Sequence, residues 1–423
     1  MVSLIQQYEF NTNPGPYFVP RNALPETEPQ SYPVRFIAFY LPQFHAVPEN
    51  DQWWGKGFTE WTNVTKALPQ YVGHFQPRLP ADLGFYDAST LKALEAQAEL
   101  ARLGGVYGFC IHDYWFGGRK ILEAPVTVLL DNPQIKLNFC LCWANESWSR
   151  RWDGLENELL LKQEHSPEDD LRYAESVVRA FRDERYIRID GRPLLLIYRP
   201  GIMPDPRATV DRWREYFISA GCGDPYIVMV QAFGDSDPRP YGMDAAAGFP
   251  PHKVGWNLPD CSGYLQLFAA SSRVYVSSYD EMASAEIAAR TTEYRMFPGV
   301  CPSWDNEARK PKRGQSFIGS TPQKYGDWLA SAAAFAGAQG TADEKIVFIN
   351  AWNEWAEGTY LEPDRHFGFA YLSETRRVLD NLNAPPGQER PRPAAPVVDS
   401  RSAPRISFRN RIRNKLSRTL RLS

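Results

Sequence analysis

Cysteine is scarce here, with six in 423 residues, too few and too scattered for a disulfide scaffold. Cys140 and Cys142 stand two apart in an apolar run, so in a strand both face one side. No second cysteine pair or neighbouring histidine completes a zinc set, and reduced, buried thiols are expected. No run of about 18 apolar residues exists, so no membrane-spanning helix is expected. The start, Met1-Val-Ser-Leu-Ile-Gln-Gln-Tyr-Glu9, lacks the basic and apolar regions of a secretory signal, which leaves the cytoplasm as the default location. Positive charge is short through most of the chain. Residues 1–388 hold 37 Lys/Arg against 48 Asp/Glu, a net of −11, which argues against nucleic acid as a partner.

Aromatic residues are plentiful: 13 Trp, 21 Tyr and 23 Phe. Many sit in polar company, as in Asp51-Gln-Trp-Trp-Gly55 and Asn145-Glu-Ser-Trp-Ser-Arg-Arg-Trp-Asp153, where flat rings can stack on the C–H face of a sugar. The chain is organised around Ile346-Val-Phe-Ile-Asn-Ala-Trp-Asn-Glu-Trp-Ala-Glu-Gly358. Its apolar opening reads as a strand buried on both faces. The polar cluster past its C-terminal end holds Glu354 and Glu357 between tryptophans. Two carboxylates this close, in a dry setting, do not both ionise easily; one becomes an acid beside a base. Making or cleaving a glycosidic bond requires such a pair. The bland alternative is a solvated loop with incidental glutamates, which the flanking indoles disfavour.

Eight strand-like runs alternate with helical segments: 34–40, 107–112, 137–143, 193–198, 226–232, 245–249, 297–302 and 345–351. Asp87-Ala-Ser-Thr90 caps a helix ended by Gly104-Gly105, and Ser166-Pro-Glu-Asp169 opens another. Further helices are expected over 206–220, 280–294, 322–338 and 366–382, with weaker ones near 119–131 and 235–243. The alternation predicts an α/β fold, a (β/α)8 TIM-like barrel with long aromatic βα loops, most of all 41–86 and 250–280. An open doubly wound sheet is second, but no Gly-rich nucleotide turn follows the first strand.

Residues 1–33 read as an extended lead-in, 34–382 as the barrel and 383–404 as a Pro-rich linker. Residues 389–423 hold ten Lys/Arg and two Asp/Glu. In 405–423, Phe408, Ile412, Leu416 and Leu420 recur every four residues with arginines between them. As a helix this basic tail would lie on an anionic membrane surface; a disordered charged tail is the equal alternative.

Nearly every predicted strand ends in polar or aromatic groups, which one barrel face would collect. The candidates for substrate binding are Tyr40, Trp53, Trp54, Lys56, Glu60 and Trp61 after the first strand, and His112, Asp113 and Tyr114 after the second. Trp143, Asn145, Glu146, Trp148 and Arg151 follow the third strand, Tyr198 the fourth and Gln231 the fifth. Trp304, Asp305 and Arg309 come after the seventh, with Asn353 and Trp355 beside the glutamates.

Four segments carry a resemblance: Phe36-Ile-Ala-Phe-Tyr-Leu-Pro-Gln-Phe-His45, Trp53-Trp-Gly-Lys-Gly-Phe-Thr-Glu-Trp-Thr-Asn-Val64, Gln76-Pro-Arg-Leu-Pro-Ala-Asp-Leu-Gly-Phe-Tyr-Asp87 and Cys142-Trp-Ala-Asn-Glu146. They resemble the WbsX-type glycosyltransferase family, associated with O-antigen and other surface-polysaccharide synthesis, over about residues 34–382. Asn353-Glu-Trp-Ala-Glu-Gly358 is similar to the site of glycoside hydrolase family 99, the endo-α-mannosidase family. That resemblance implies a (β/α)8 fold, retention of configuration, and no metal or other cofactor. It further implies that Glu354 removes the sugar's 2-OH proton, giving an epoxide-like intermediate. Glu357 would protonate the leaving oxygen and later activate the acceptor. Ala356 stands where family 99 usually has His, a departure that bears on substrate contacts. Water as acceptor makes a hydrolase; a sugar makes a transferase. A second hypothesis is a metal- and nucleotide-sugar-dependent transferase using Asp235 and Asp237, an Asp-x-Asp pattern. A third is a non-catalytic glycan-binding scaffold.

Overall fold

The computed structural model of the protein describes residues 2–150, 155–385 and 387–392. Eight parallel strand positions form a ring. In order they are β1 (Arg35–Tyr40), β2 (Gly108–Phe116), β3 (Asn138–Trp143), β4 (Arg192–Ile197), β5 (Tyr226–Gln231), β6 (Ala245–Gly248), β7 and β8 (Ile346–Ile349). β7 is split at Pro298: Met296–Phe297 pairs with β6 and Gly299–Val300 pairs with β8, so the ring closes through this residue. Proline has no N–H to donate to a ladder, but the Pro298 carbonyl still accepts from Phe348 N at 3.0 Å. Closure also needs Gly299: a Cβ there would stand 2.2 Å from the Gly248 carbonyl oxygen.

The strands are apolar because both faces are covered. Every residue of β8 is fully buried, each contributing about 1.5–3 kcal/mol of burial. Phe39, Phe249 and Phe348 pack inside the ring, Phe39 lying within 4.7–5.4 Å of the other two. Helices Leu91–Leu103, Pro167–Phe181, Pro206–Ser219, Pro322–Gly337 and Ala370–Asn383 cover the outside. Thr90, Ser166, Asp205 and Thr321 each accept a backbone N–H of the first turn, the capping read from the sequence at Thr90 and Ser166.

Several local expectations are corrected. The lead-in holds a helix, Leu4–Asn11, whose Ser3 forms a capping box with Gln6, and Asn11 Nδ2 donates to the carbonyls of His74 and Gln76. The stretch 119–131 divides into a short strand, Arg119–Ile121, and a helix, Ala124–Asp131. β5 and β6 are joined through a 3-10 turn, Arg239–Tyr241, in place of a helix over 235–243. Loop 41–86 is structured, with helices Pro48–Trp54 and Glu60–Lys66, and Tyr275–Ser278 pairs with Gln315–Ile318 in the later loops. The barrel face at the C-terminal strand ends is therefore walled by regular structure. The basic tail 405–423 and most of the linker lie outside the described residues. Among the described residues, no helix is long and apolar enough to cross a membrane.

Candidate active site

After β8 the chain forms a small hairpin, Asn353–Glu354 paired with Thr359–Tyr360, whose turn is a 3-10 helix, Trp355–Glu357. Residues three apart superpose in that geometry, so Glu354 and Glu357 both reach one cavity while Trp355 and Ala356 turn into the protein. Gly358 closes the turn at φ 63°, and a Cβ there would meet the Arg78 guanidinium and Asp305 at 2.9 Å. Asn353 fastens the hairpin to the first loop. Its Oδ1 accepts from Leu41 N at 2.7 Å, and its Nδ2 donates to the Leu41 carbonyl at 3.0 Å and the Tyr86 hydroxyl at 3.1 Å.

Arg309 enters from the loop after β7. Its Nη2 donates to Glu354 Oε2 at 3.0 Å, its Nη1 stands 2.6 Å from Glu357 Oε1, and Glu60 Oε2 is 3.2 Å from the same guanidinium. Three carboxylates thus share one fixed cation. Burial pushes the Glu354 carboxyl up to about 8; Arg309 opposes the rise, and the charges of Glu357 and Glu60 add to it. Burial likewise raises Glu60 against the pull of Arg309.

The cavity measures about 670 Å³, within the usual size of a small-ligand cleft. It collects the candidates Trp54, His112, Tyr114, Glu146, Trp148, Tyr198, Trp304 and Arg309 with the two glutamates. Indoles of the first and third loops therefore face the same space as the carboxyls. Glu146 is paired with Arg199, which lies 4.3 Å over the Phe233 ring. The lining also includes Gln43, Asn50, Phe233, His252, Trp256, Asn306 and Lys310, which sequence reasoning missed. His252 packs edge-on to Trp304 at 5.0 Å, and burial lowers its pKa to about 4, so it is a neutral wall at pH 7. The long loop 250–280 was the available signal, since His252 and Trp256 open it.

Other candidates stand behind the lining. Tyr40 donates to Gln97 under a helix, and Trp143 packs on Tyr173 and Trp213. Trp61 donates to the Tyr86 carbonyl, Asp113 pairs with Lys120, and Asn145 brackets the Arg199 backbone. Gln231 donates to Ser236 and Tyr294, and Asp305 accepts from His74 and Gln76 at 2.8 Å. These side chains, with Asn353 and Trp355, hold loops in place. Trp53 meets Trp148 edge-on at 6.0 Å, and Lys56 is exposed. Arg151 lies outside the described residues. Ala356 is buried in a cluster with Leu41, Phe44 and Trp61, so the departure from His falls away from the cavity. Asp235 accepts from Gly201 N and the Tyr241 hydroxyl, and Asp237 pairs with Arg239. Neither lines the cavity.

A family model described as "Glycosyltransferase WbsX" matches residues 36–375. The "Uncharacterized protein WxcX" of Xanthomonas campestris pv. campestris strain B100 is 46% identical over 357 residues, which cover 84% of this chain and 50% of that protein. The chain thus spans about half the length of the curated relatives it matches. Among solved structures, the GH99 endo-alpha-mannosidase from Bacteroides thetaiotaomicron superposes with TM-scores of 0.51 and 0.50 at 16% identity, over 82% of this chain and 97% of that one. A "Glycoside hydrolase-like protein" gives a TM-score of 0.53 at 16% identity, covering 86% and 99%. At such identities these likenesses establish the fold, a TIM-type barrel.

Proposed function

This chain belongs to the WbsX glycosyltransferase family, and from that premise we propose that it forms or cleaves glycosidic bonds in surface-polysaccharide synthesis, with retention, using Glu354 and Glu357. One observation carries the reading: both carboxyls reach an aromatic-walled cavity and are clasped there by a single arginine. Glu354 acts as the base toward the sugar's 2-OH. A carboxylate lifted to about 8 by burial is a stronger proton acceptor for a weakly acidic hydroxyl than an ordinary one. The step needs Glu354 ionised and Glu357 protonated at once, so turnover should pass through a maximum with pH and fall on both sides of it. Glu357, nearer the open side of the cluster, gives its proton to the leaving oxygen and takes one back from the acceptor. Trp54 and Trp148 supply flat, partly exposed apolar walls for sugar rings.

The test is a panel of oligosaccharides followed by mass spectrometry, with and without a sugar acceptor. Glu354→Gln and Glu357→Gln should each cut turnover by about 10²–10⁴-fold with folding intact. Full activity in either variant would end the assignment. We further propose that 405–423 brings the enzyme to anionic membrane surfaces; equal pelleting of the full chain and a 1–388 truncation with phosphatidylserine vesicles would refute that.

A further inference from the structure

Glu60 takes no step in the chemistry above, yet it is held against the same arginine. It begins the helix Glu60–Lys66, is fully buried, and stays off the cavity lining. One of its oxygens contacts Arg309 at 3.2 Å. The other is buried beside the Asn63 side chain, whose hydrogen bond favours the ionised carboxyl. Desolvating a carboxyl at this depth costs stability even with Asn63 and Arg309 beside it, and a neutral side chain of similar size would pack there more cheaply. Packing therefore does not account for the acid.

Arg309 does. Its guanidinium is planar and rigid, with donors on more than one edge; Glu60 takes one edge from the buried side, leaving the rest for the two cavity-facing glutamates. During the proposed bond cleavage Glu354 gains a proton from the sugar hydroxyl and Glu357 loses one to the leaving oxygen. The total charge of the cluster is unchanged, but the anion moves from one glutamate to the other. Resting on the glutamate-pair reading, we propose that Glu60 is a positioning residue that anchors Arg309 between Glu354 and Glu357, so the cation faces the anion in both states. A fixed cation needs no reorganisation as the charge moves.

The consequence can be read on the enzyme without substrate. The groups facing Glu354 are Arg309, Glu357, Glu60 and the Tyr114 hydroxyl, while Glu146, Lys310, His112 and His252 line the remaining cavity. Shortening Glu60 to Asp keeps its charge but loosens its hold on Arg309, and a guanidinium that draws back from Glu354 leaves that carboxyl ionising at higher pH.

The experiment is an infrared titration of protonated carboxyls in the full-length enzyme, comparing wild type, Glu60→Asp and Glu354→Gln, with the last identifying the Glu354 band by its loss. Glu60→Asp should move that band's midpoint to higher pH by about 1 unit; an unmoved or lowered midpoint overturns the proposal. Glu60→Gln serves should that variant fail to fold: it keeps the side chain's length but gives up the charge that holds Arg309. On the substrate found by the oligosaccharide panel, it should lower kcat per folded enzyme by about tenfold or more with KM little changed. Wild-type kcat in the folded fraction would mean that Glu60 is only structural. Turnover surviving in Glu354→Gln would refute the glutamate-pair reading alone, because the titration reads the hold of Glu60 on Arg309 independently.

Discussion

Glu354 and Glu362 stand eight residues apart, one on the hairpin after β8 and one just past it, are both buried, and keep opposite company. Glu362 accepts from three neutral donors: Trp355 Nε1 at 2.6 Å, Gln97 Nε2 at 2.7 Å and the Tyr86 hydroxyl at 3.0 Å. Glu354 meets an arginine that it shares with two other acids, and it faces the cavity. Burial lifts both carboxyls, Glu362 to about 7 and Glu354 to about 8. A raised pKa therefore does not separate the candidate catalyst from the structural acid. Access and the charge of the partners do: neutral donors satisfy one group, while the other is left in a contest that a bound sugar can enter.

The comparison breaks most directly by exchanging readouts. Glu354→Gln should abolish nearly all turnover and leave the fold intact. Glu362→Ala should strand three buried donors and destabilise the protein by about 2 kcal/mol or more, measured by denaturant unfolding. The reverse pattern, a silent Glu354→Gln with an inactive but stable Glu362 variant, would exchange the roles assigned to the two acids.

The pH dependence of stability sharpens the same contrast. A carboxyl raised above its ordinary 4.5 contributes stability that is fully present below that value and is lost as pH climbs through the folded-state pKa. That window extends to about 7 for Glu362 and to about 8 for Glu354. Glu354→Gln cannot ionise, so its unfolding free energy should gain on wild type between pH 5 and 9. Parallel stability curves for the two proteins would show that Glu354 is not held up by its surroundings.

Much of this was legible in the chain because strands covered on both faces must be apolar throughout. Seven of the barrel strands were visible as such runs, and the eighth, β7, was visible but for its break at Pro298. The helix at Leu4–Asn11 was not, because its polar sequence carries no sustained period and a local capping box does the work. The strand-end clusters pointed to the right face of the barrel, but not to which side chains enter the cavity. Alternation decides that within β2, where His112 and Tyr114 line the cavity while Asp113 turns outward to Lys120. Beyond the strands, only a 3-10 turn and a glycine at positive φ tell Glu354 and Glu357 from Trp355. His252 follows β6 in an irregular stretch with no period, so only its place in a long loop marked it.

Trp355 gives the smallest effect and the finest discrimination. The sequence places it beside the acids as a surface for sugar. In the fold its ring stacks on Tyr360 at 3.8 Å, and its Nε1 is spent on Glu362. Trp355→Phe keeps an aromatic ring against Tyr360 and deletes the donor, so Glu362 loses one of its three bonds. The expected loss of stability is about 1 kcal/mol, with a Glu362 carboxyl that ionises at still higher pH because a hydrogen bond to the charged form has gone. KM should stay within about twofold, since less than about 0.5 kcal/mol of sugar binding passes through this ring. A sugar platform would behave otherwise: there, KM would rise at least tenfold while stability held, and Trp355 would move from the wall behind the acids to the surface that meets the substrate.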